Sequence, residues 1–451
     1  MPADRGSVES PVHAGGTSRG SERTRSGPFR GGRVRPRGDS GWPAAGVLNT
    51  PTGLRRYSSA VVRRKPLDAG KLVRQLGTSE PFRLLDVARG HLRAAGEVDA
   101  VNLLLVDYAQ QELRPFGAYQ GPSLGQERVD QGQAGTAYLD QATSVNRFQL
   151  GWRACVPVSL GGERFGVLDV QLSTEPGARL LFELETVAMA VALSLGAAVH
   201  ATDEIDLARR RQPLSLPAEI QWALLPRLAL ETPEYVVAGT VEPAYDVGGD
   251  TFDHAAQPEA LTVSITDAMG HGLQAALLAG LAVAALRNAR RRPAGLLDQV
   301  HHANQALHEQ FGGERFVTGQ VLRVDIPGGT GAIVNAGHPP PLRVRGGEVE
   351  PVGLDVDLPL GLDGTTVYHV QRLTLEPGDR LVLLSDGLLD AVPEGGPAFG
   401  TARLEELLRS SRELAPYEVT RLLVREVIAH RAGDLADDVT VVCLDWRGLA
   451  S

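Results

Sequence analysis

Lysine is almost missing from this chain: it occurs at positions 65 and 71 and nowhere beyond. A phosphate loop built around a lysine, and any lysine nucleophile, are therefore excluded from everything after Lys71. Cysteine is as scarce. Cys155 and Cys443 sit in the apolar runs "RACVPVSL" and "VVCLDW". They read as buried strand thiols in a reducing compartment, not as a disulfide framework. No uninterrupted apolar run approaches the roughly 20 residues that span a bilayer, and no signal-peptide core opens the sequence. The expectation is a cytoplasmic protein without a membrane span. Nor is there an excess of positive charge: 45 basic against 54 acidic residues give a formal charge of -9, which argues against nucleic acid as a partner.

What is present is ample length, 451 residues with 43% apolar, enough for two or three cores. Residues 1–66 are rich in Gly, Ser, Pro and Arg and are expected to be a disordered tail, since little there offsets the entropy of ordering. Residues 67–202 change in texture. A helical stretch, "KLVRQLGTSEPFRLLDVARGHLRAAG", precedes two strands around a polar turn. A hairpin follows in "VPVSLGGERFGVLDVQL", then a long apolar helix from about 178. This order suits a small α+β sensor module, and the hairpin with its final helix resembles the GAF family. GAF domains often bind small molecules, and many only dimerise or transmit; the resemblance leaves a small-molecule ligand and a homodimer open. Residues 203–232 read as a helical linker in two pieces, interrupted at Pro213, with Ser215 capping the second and apolar residues at Ile220, Leu224 and Leu225. A partner chain is one surface against which those pieces could pack. Residues 233–447 alternate strand-like runs with paired helical blocks, which predicts a layered α+β sandwich.

The candidate chemistry lies in carboxylates at strand tips. "AYDVGGDTFDH" places Asp250 and Asp253 just after two glycines. "VSITDAMGHG" ends a strand at Asp267, and "RLVLLSDGLLDA" ends one at Asp386. "LADDVTVVCLDW" starts one at Asp437 and Asp438. Each motif alone is an ordinary turn or cap. Together, such acids would repel unless hard divalent cations neutralise them, and an all-oxygen set suits Mg²⁺ or Mn²⁺. Two such ions about 3.5–4 Å apart can activate a shared water and clamp a phosphoryl oxygen. That chemistry needs neither lysine nor a side-chain nucleophile.

In this order, "GGDTFD", "TDAMGHG", "NAGHPPPL", "LLSDGLLDA" and "DDVTVV" resemble the sporulation-protein-E branch of the PPM-type metal-dependent serine/threonine phosphatases. "LSLPAEIQWALLP" resembles the usual lead-in of that branch. The resemblance implies an α-β-β-α sandwich over residues 233–447. It implies two Mn²⁺ or Mg²⁺ ions held by Asp250, Asp267, Asp386 and Asp437, with the backbone carbonyl of Ala268 also touching metal. Asp438 would stand behind the ligands. No residue matches the phosphate-binding arginine of eukaryotic relatives. The implied reaction is hydrolysis of phosphoserine or phosphothreonine, with His271 or a water protonating the leaving oxygen. The implied substrate is a phosphorylated anti-sigma-factor antagonist of the STAS type. His338 is expected to fix a turn.

Other readings weigh less. "GGDTF" approaches a diguanylate-cyclase signature, but Thr251 stands where that signature has Glu, and the other acidic motifs would go unexplained. His301, His302 and His308 lack companions for a zinc set and read as helix surface or core. The alanine-rich helix after Gly272 reads as core packed on a sheet. A catalytically silent scaffold or sensor is the alternative from another class.

Overall fold

The computed structural model describes residues 67–449 except 95–97, 122–124, 150, 247, 293–294, 394–395, 432–434 and 436. The expected tail, 1–66, lies outside the described residues. Two amphipathic helices come first, α1 (Ala69–Thr78) and α2 (Leu84–Ala94). The Asp68 carboxylate caps α1 by accepting the Lys71 amide at 2.8 Å. Next come β1 (Val98–Val106), β2 (Glu112–Pro115), β3 (Glu127–Arg128), α3 (Gly132–Asp140), β4 (Ser144–Phe148), β5 (Gly151–Leu160), β6 (Glu163–Leu172) and α4 (Ala178–Ala198). The strands form one antiparallel sheet in the order β3-β2-β1-β6-β5-β4. The expected hairpin is β5–β6, turning through Gly161 and Gly162, both at positive φ. α1, α2 and α4 close one face over Leu92, Leu103, Leu168 and Leu195. α3 is not announced by the sequence, because two of its nine residues are glycine.

The linker holds α5 (Glu204–Arg209) and α6 (Leu216–Leu224). As expected, Ser215 caps α6, its hydroxyl accepting the Ala218 amide at 3.3 Å. The buried residues of α6 are Ala218 and Gln221; Ile220, Leu224 and Leu225 are only partly covered. The helix packs on a helix of its own chain, α7 (Gly272–Arg290). Beyond it run β7 (Ala229–Glu231), β8 (Tyr235–Glu242), β9 (Asp250–Gln257), β10 (Ala260–Ala268), α7 (Gly272–Arg290) and α8 (Leu296–Phe311). Then follow β11 (Val317–Asp325), β12 (Thr330–Ala336), β13 (Leu342–Arg345), β14 (Glu348–Pro351), β15 (Gln371–Thr374) and β16 (Arg380–Leu384). The last elements are α9 (Asp386–Leu389), α10 (Gly400–Ser410), α11 (Pro416–Arg431) and β17 (Val439–Trp446).

These strands make two antiparallel sheets, β15-β12-β11-β10-β9 and β14-β13-β16-β17-β8-β7. Strand periodicity uses the central strands twice. Leu261, Val263 and Ile265 of β10 meet Leu381 and Leu383 of β16 and Val442 and Leu444 of β17 between the sheets. The alternate residues Val382, Leu384, Val441 and Cys443 pack under α10 and α11. α7 and α8 cover the outer face of the other sheet over Val317, Val321 and Val334. The result is a four-layer helix–sheet–sheet–helix arrangement. Strands buried on both faces explain the predominantly apolar runs "RLVLL" and "VTVVCL", broken only by Arg380 and Thr440. Both cysteines are free and buried in strands, as their runs suggest.

By length and composition α4 and α7, with 21 and 19 residues, are each apolar enough to cross a membrane. Alanine, glycine and isolated polar residues break up their apolar runs. Half of each stretch is buried inside the protein, packed on sheet and helix neighbours.

The described residues belong to one compact unit. The second face of the first sheet is shared: Leu104, Val167 and Tyr138 form a single cluster with Ala229, Ala238 and Tyr417 of the C-terminal module. The Tyr138 and Tyr417 hydroxyls meet there. The Arg164 guanidinium lies 4.4 Å from the Tyr417 ring centroid.

Glu242, the last residue of β8, is buried, and its Oε2 accepts the Ala244 amide at 2.8 Å. Burial pushes its carboxyl up to about 7, against about 4.3 in an unfolded chain. The folded state thus holds the proton longer, so stability falls as pH rises from the unfolded value through 7. Glu242→Gln keeps an acceptor and removes this loss. It is expected to stabilise the protein by about 3–4 kcal/mol at pH 8 and by only a few tenths of a kcal/mol at pH 4.5. Thermal unfolding at the two pH values checks this; equal shifts at both would contradict it.

Candidate functional site

The two sheets of the sandwich bring their acidic tips to one end. Asp250 begins β9, and Asp267 lies at the penultimate position of β10; they are register partners across the β9–β10 pair. On the facing sheet, β16 ends at Leu384, Ser385 turns the chain, and Asp386 opens α9. Asp437 and Asp438 lead directly into β17, whose Val441 pairs with Leu384. The Ser385 hydroxyl accepts the Thr440 amide at 2.9 Å, which holds these two tips together. Asp250 and Asp438 are buried, Asp267 is half-buried, and Asp386 and Asp437 are exposed. Exposure therefore rises from Asp250 and Asp438 through Asp267 to Asp386 and Asp437.

The paired glycines of "GGD" serve close approach rather than unusual backbone angles. Asp438 Oδ2 accepts the amides of Gly248 at 2.7 Å, Gly249 at 2.8 Å and Asp250 at 3.3 Å. A Cβ on Gly248 would stand 2.9 Å from that same oxygen, and one on Gly249 would stand 2.4 Å from the Ala268 carbonyl oxygen. A Cβ on Gly387 would strike the Asp438 carbonyl oxygen at 2.1 Å, so "SDG" needs its glycine for the same reason. In "MGHG", by contrast, Gly270 and Gly272 do adopt positive φ. They place His271 as the extended N-cap of α7. His271 is exposed and lines a shallow cleft with Gly248, Asp437 and Asp438.

Like charges in this space resist ionisation. Burial raises the Asp250 carboxyl well above the usual range, with Asp267 and Asp438 adding to it. Burial, then Asp386, Asp437 and Asp438, push Asp267 up to about 7. Burial raises Asp386, and Asp437 and Asp390 raise it further. Burial likewise pushes Asp438 up to about 6, against the pull of its three amide donors. Asp250 Oδ2 is buried without a hydrogen-bond partner. An oxygen-only donor set with mutually raised acids and an orphaned carboxylate oxygen fits hard divalent cations. The set is open rather than closed: among the described residues no three His, Cys, Asp or Glu side chains are grouped closely enough to hold an ion.

Asp253 is not brought to the site's chemistry. Its carboxylate is buried and taken by Arg287 at 2.7 and 3.1 Å and by Arg290 at 2.8 Å. Although burial opposes it, these arginines hold the carboxyl below the usual range. His338 fixes its turn as expected. Its amide donates to Asn335 Oδ1 and its carbonyl accepts from Asn335 Nδ2, both at 2.9 Å. Burial lowers its imidazole to about 4. His301 meets the Tyr368 ring edge-on, and His308 Nδ1 lies 3.3 Å from the Gly361 carbonyl. Sequence reasoning missed Gln221, whose amide donates to the Asp250 carbonyl from α6. Only its place in the lead-in segment could have marked it.

Residues 257–447 match the family described as Stage II sporulation protein E (SpoIIE). The matched span contains Asp267, Asp386 and Asp437 and begins after Asp250. The chain is 24% identical over 263 residues to Protein IcfG of Synechocystis sp., covering 52% of this chain and 41% of that protein. It is 21% identical over 238 residues to the phosphoserine phosphatase RsbU of Bacillus subtilis, covering 52% of this chain and 70% of that one. The SiaA-PP2C domain of Pseudomonas aeruginosa superposes with a TM-score of 0.44 at 23% identity, over 56% of this chain and 99% of that domain. The chain thus spans about two fifths of the length of IcfG. The family match and the similarity to RsbU support the PPM-type branch for the C-terminal module.

The pairing of Asp253 predicts a structural role. Asp253→Asn leaves two largely buried guanidiniums without a counter-charge and is expected to destabilise the protein by about 3 kcal/mol. Denaturant unfolding measures the loss; Mn²⁺ affinity, read on the folded fraction, should stay within about twofold, because distant sites act independently.

Proposed function

We propose that this chain is a metal-dependent protein serine/threonine phosphatase of the PPM type, hydrolysing phosphoserine or phosphothreonine. One observation carries the reading: acids from two sheets, remote in sequence, come near enough at the strand tips to raise one another's affinity for protons. Asp250, Asp267, Asp386 and Asp437, with the Ala268 carbonyl, would hold two Mn²⁺ or Mg²⁺ ions. When bound, such ions lower the pKa of water and polarise phosphoryl oxygens. The chain's own part is placement. Asp438 fixes the turn that presents Asp250. Gly387 lets the Asp386 turn close on β17. His271 stands exposed on the same cleft, where it can hand a proton to the departing serine or threonine oxygen.

The substrate class follows from resemblance: a phosphorylated protein, and within that branch an anti-sigma-factor antagonist of the STAS type. Residues 67–202 act as a GAF-like sensor joined through the linker at 203–232 to the phosphatase domain at 233–447, and the setting is cytoplasmic. The open arrangement of the acids favours a second reading, a phosphatase-like scaffold that binds its partner without turnover.

Phosphate release from a phosphoserine protein, with and without Mn²⁺, separates the two. The wild type should be Mn²⁺-dependent, and Asp267→Asn and Asp386→Asn should each lose activity on the order of a hundredfold or more. Equal rates in all three proteins remove the phosphatase assignment. A wild type that binds Mn²⁺ yet releases no phosphate leaves the scaffold.

A further inference from the structure

The N-terminal module reaches the chain that carries the acid cluster. Asp107, in the turn between β1 and β2, is fully buried. Its Oδ1 accepts the amides of Gln111 and Glu112 at 2.7 and 2.8 Å, which locks its own turn. Its Oδ2 faces across the module boundary. There it pairs with Arg211 Nε at 2.8 Å and accepts the Tyr245 hydroxyl at 3.4 Å. The Arg211 amide donates to that same hydroxyl at 3.1 Å. The Arg211 guanidinium lies 5.4 Å from the Tyr245 ring centroid. Next door the Tyr108 ring packs on Trp222 at 4.5 Å, and Trp222 Nε1 donates to the Ala244 carbonyl at 2.8 Å. Tyr108, Ala244 and Tyr245 form a small buried cluster of their own. Ala244 and Tyr245 stand just before Gly248, Gly249 and Asp250, the residues whose amides Asp438 receives.

We propose that Asp107 is a positioning residue for the acid cluster: through Arg211 and Tyr245 it anchors the segment that presents Gly248, Gly249 and Asp250 to Asp438. A buried charge with one guanidinium and one hydroxyl partner across a boundary is a two-sided constraint, because releasing either partner leaves the carboxylate under-satisfied. The segment after β8 is therefore held at one end by the first module and at the other by β17. A rearrangement of the β1–β2 turn changes the first hold and, through it, the placement of Asp250. The contact gives the N-terminal module a direct route to the site, and its consequence for metal rests on the phosphatase reading above.

The test uses the full chain with Tyr245→Phe, Asp107→Asn, the double variant, and Tyr138→Phe as a control at the separate contact with α11. Amide exchange at Gly248 and Gly249 should speed up about tenfold in each of the first two. The double variant should exchange no faster than the faster single variant, since both cut the same link. Free Mn²⁺, followed by electron paramagnetic resonance, should show binding weakened about tenfold in those variants and unchanged in Tyr138→Phe. Unchanged exchange in both Tyr245→Phe and Asp107→Asn overturns the proposal, as does an equal effect in Tyr138→Phe. A wild type that binds no Mn²⁺ overturns the phosphatase reading instead, and the exchange data alone then decide whether the anchor exists.

Discussion

One carboxylate joins the two halves of the sandwich at the end that matters. Asp438, at the entry to β17, receives three consecutive amides from the start of β9. The strands belong to different sheets, so this contact bridges layers whose shared interior is largely apolar. Packing of that kind resists separation but is indifferent to small slides. Hydrogen bonds to a charged acceptor supply the missing direction. They also counter a repulsion: unit charges about 4 Å apart at an effective dielectric of 20 interact by about 4 kcal/mol. Without a tie, acids gathered from two sheets would drive the tips apart.

The glycines follow from that tie. Three of them lie where any Cβ would meet Asp438 or the Ala268 carbonyl. The first glycine of "GGD" is thus the imprint of a carboxylate 190 residues away, the second that of the Ala268 carbonyl, and "SDG" is the imprint of the same strand entry as the first. The site is a set of mutual clearances around one acid, and the neighbouring acids inherit their positions from it. Asp253, in the same short motif, belongs to a different assembly. It faces two arginines in the last turn of α7 and steadies the helix against the sheet.

The modules are not beads on a string. The second face of the first sheet is completed by Ala229, Ala238 and Tyr417, residues of the sandwich. Helix α6 lies on α7 and lends Gln221 to the Asp250 carbonyl. What looks in sequence like a linker is a layer of packing between two cores. That arrangement packs the first module and the segment after it directly on the sandwich, as a flexible tether would not.

Much was legible in the residues themselves. Apolar alternation announced the β5–β6 hairpin, and predominantly apolar runs announced central strands, because a strand buried on both faces favours apolar residues at successive positions. Asp267, Asp386 and Asp437 were visible because each sits where such a run stops. Other features were not legible. Helix α3 carries too much glycine to signal itself. Nothing in "TFDH" distinguishes Asp253, bound by arginines, from Asp250, buried among acids. Asp107 looks like any turn aspartate until Tyr245 and Arg211 are brought beside it. The sequence alone determined which segments bury themselves and where charge interrupts them, since both depend on near neighbours. The tertiary structure decided which charges meet, because that depends on register and layer stacking between residues hundreds of positions apart.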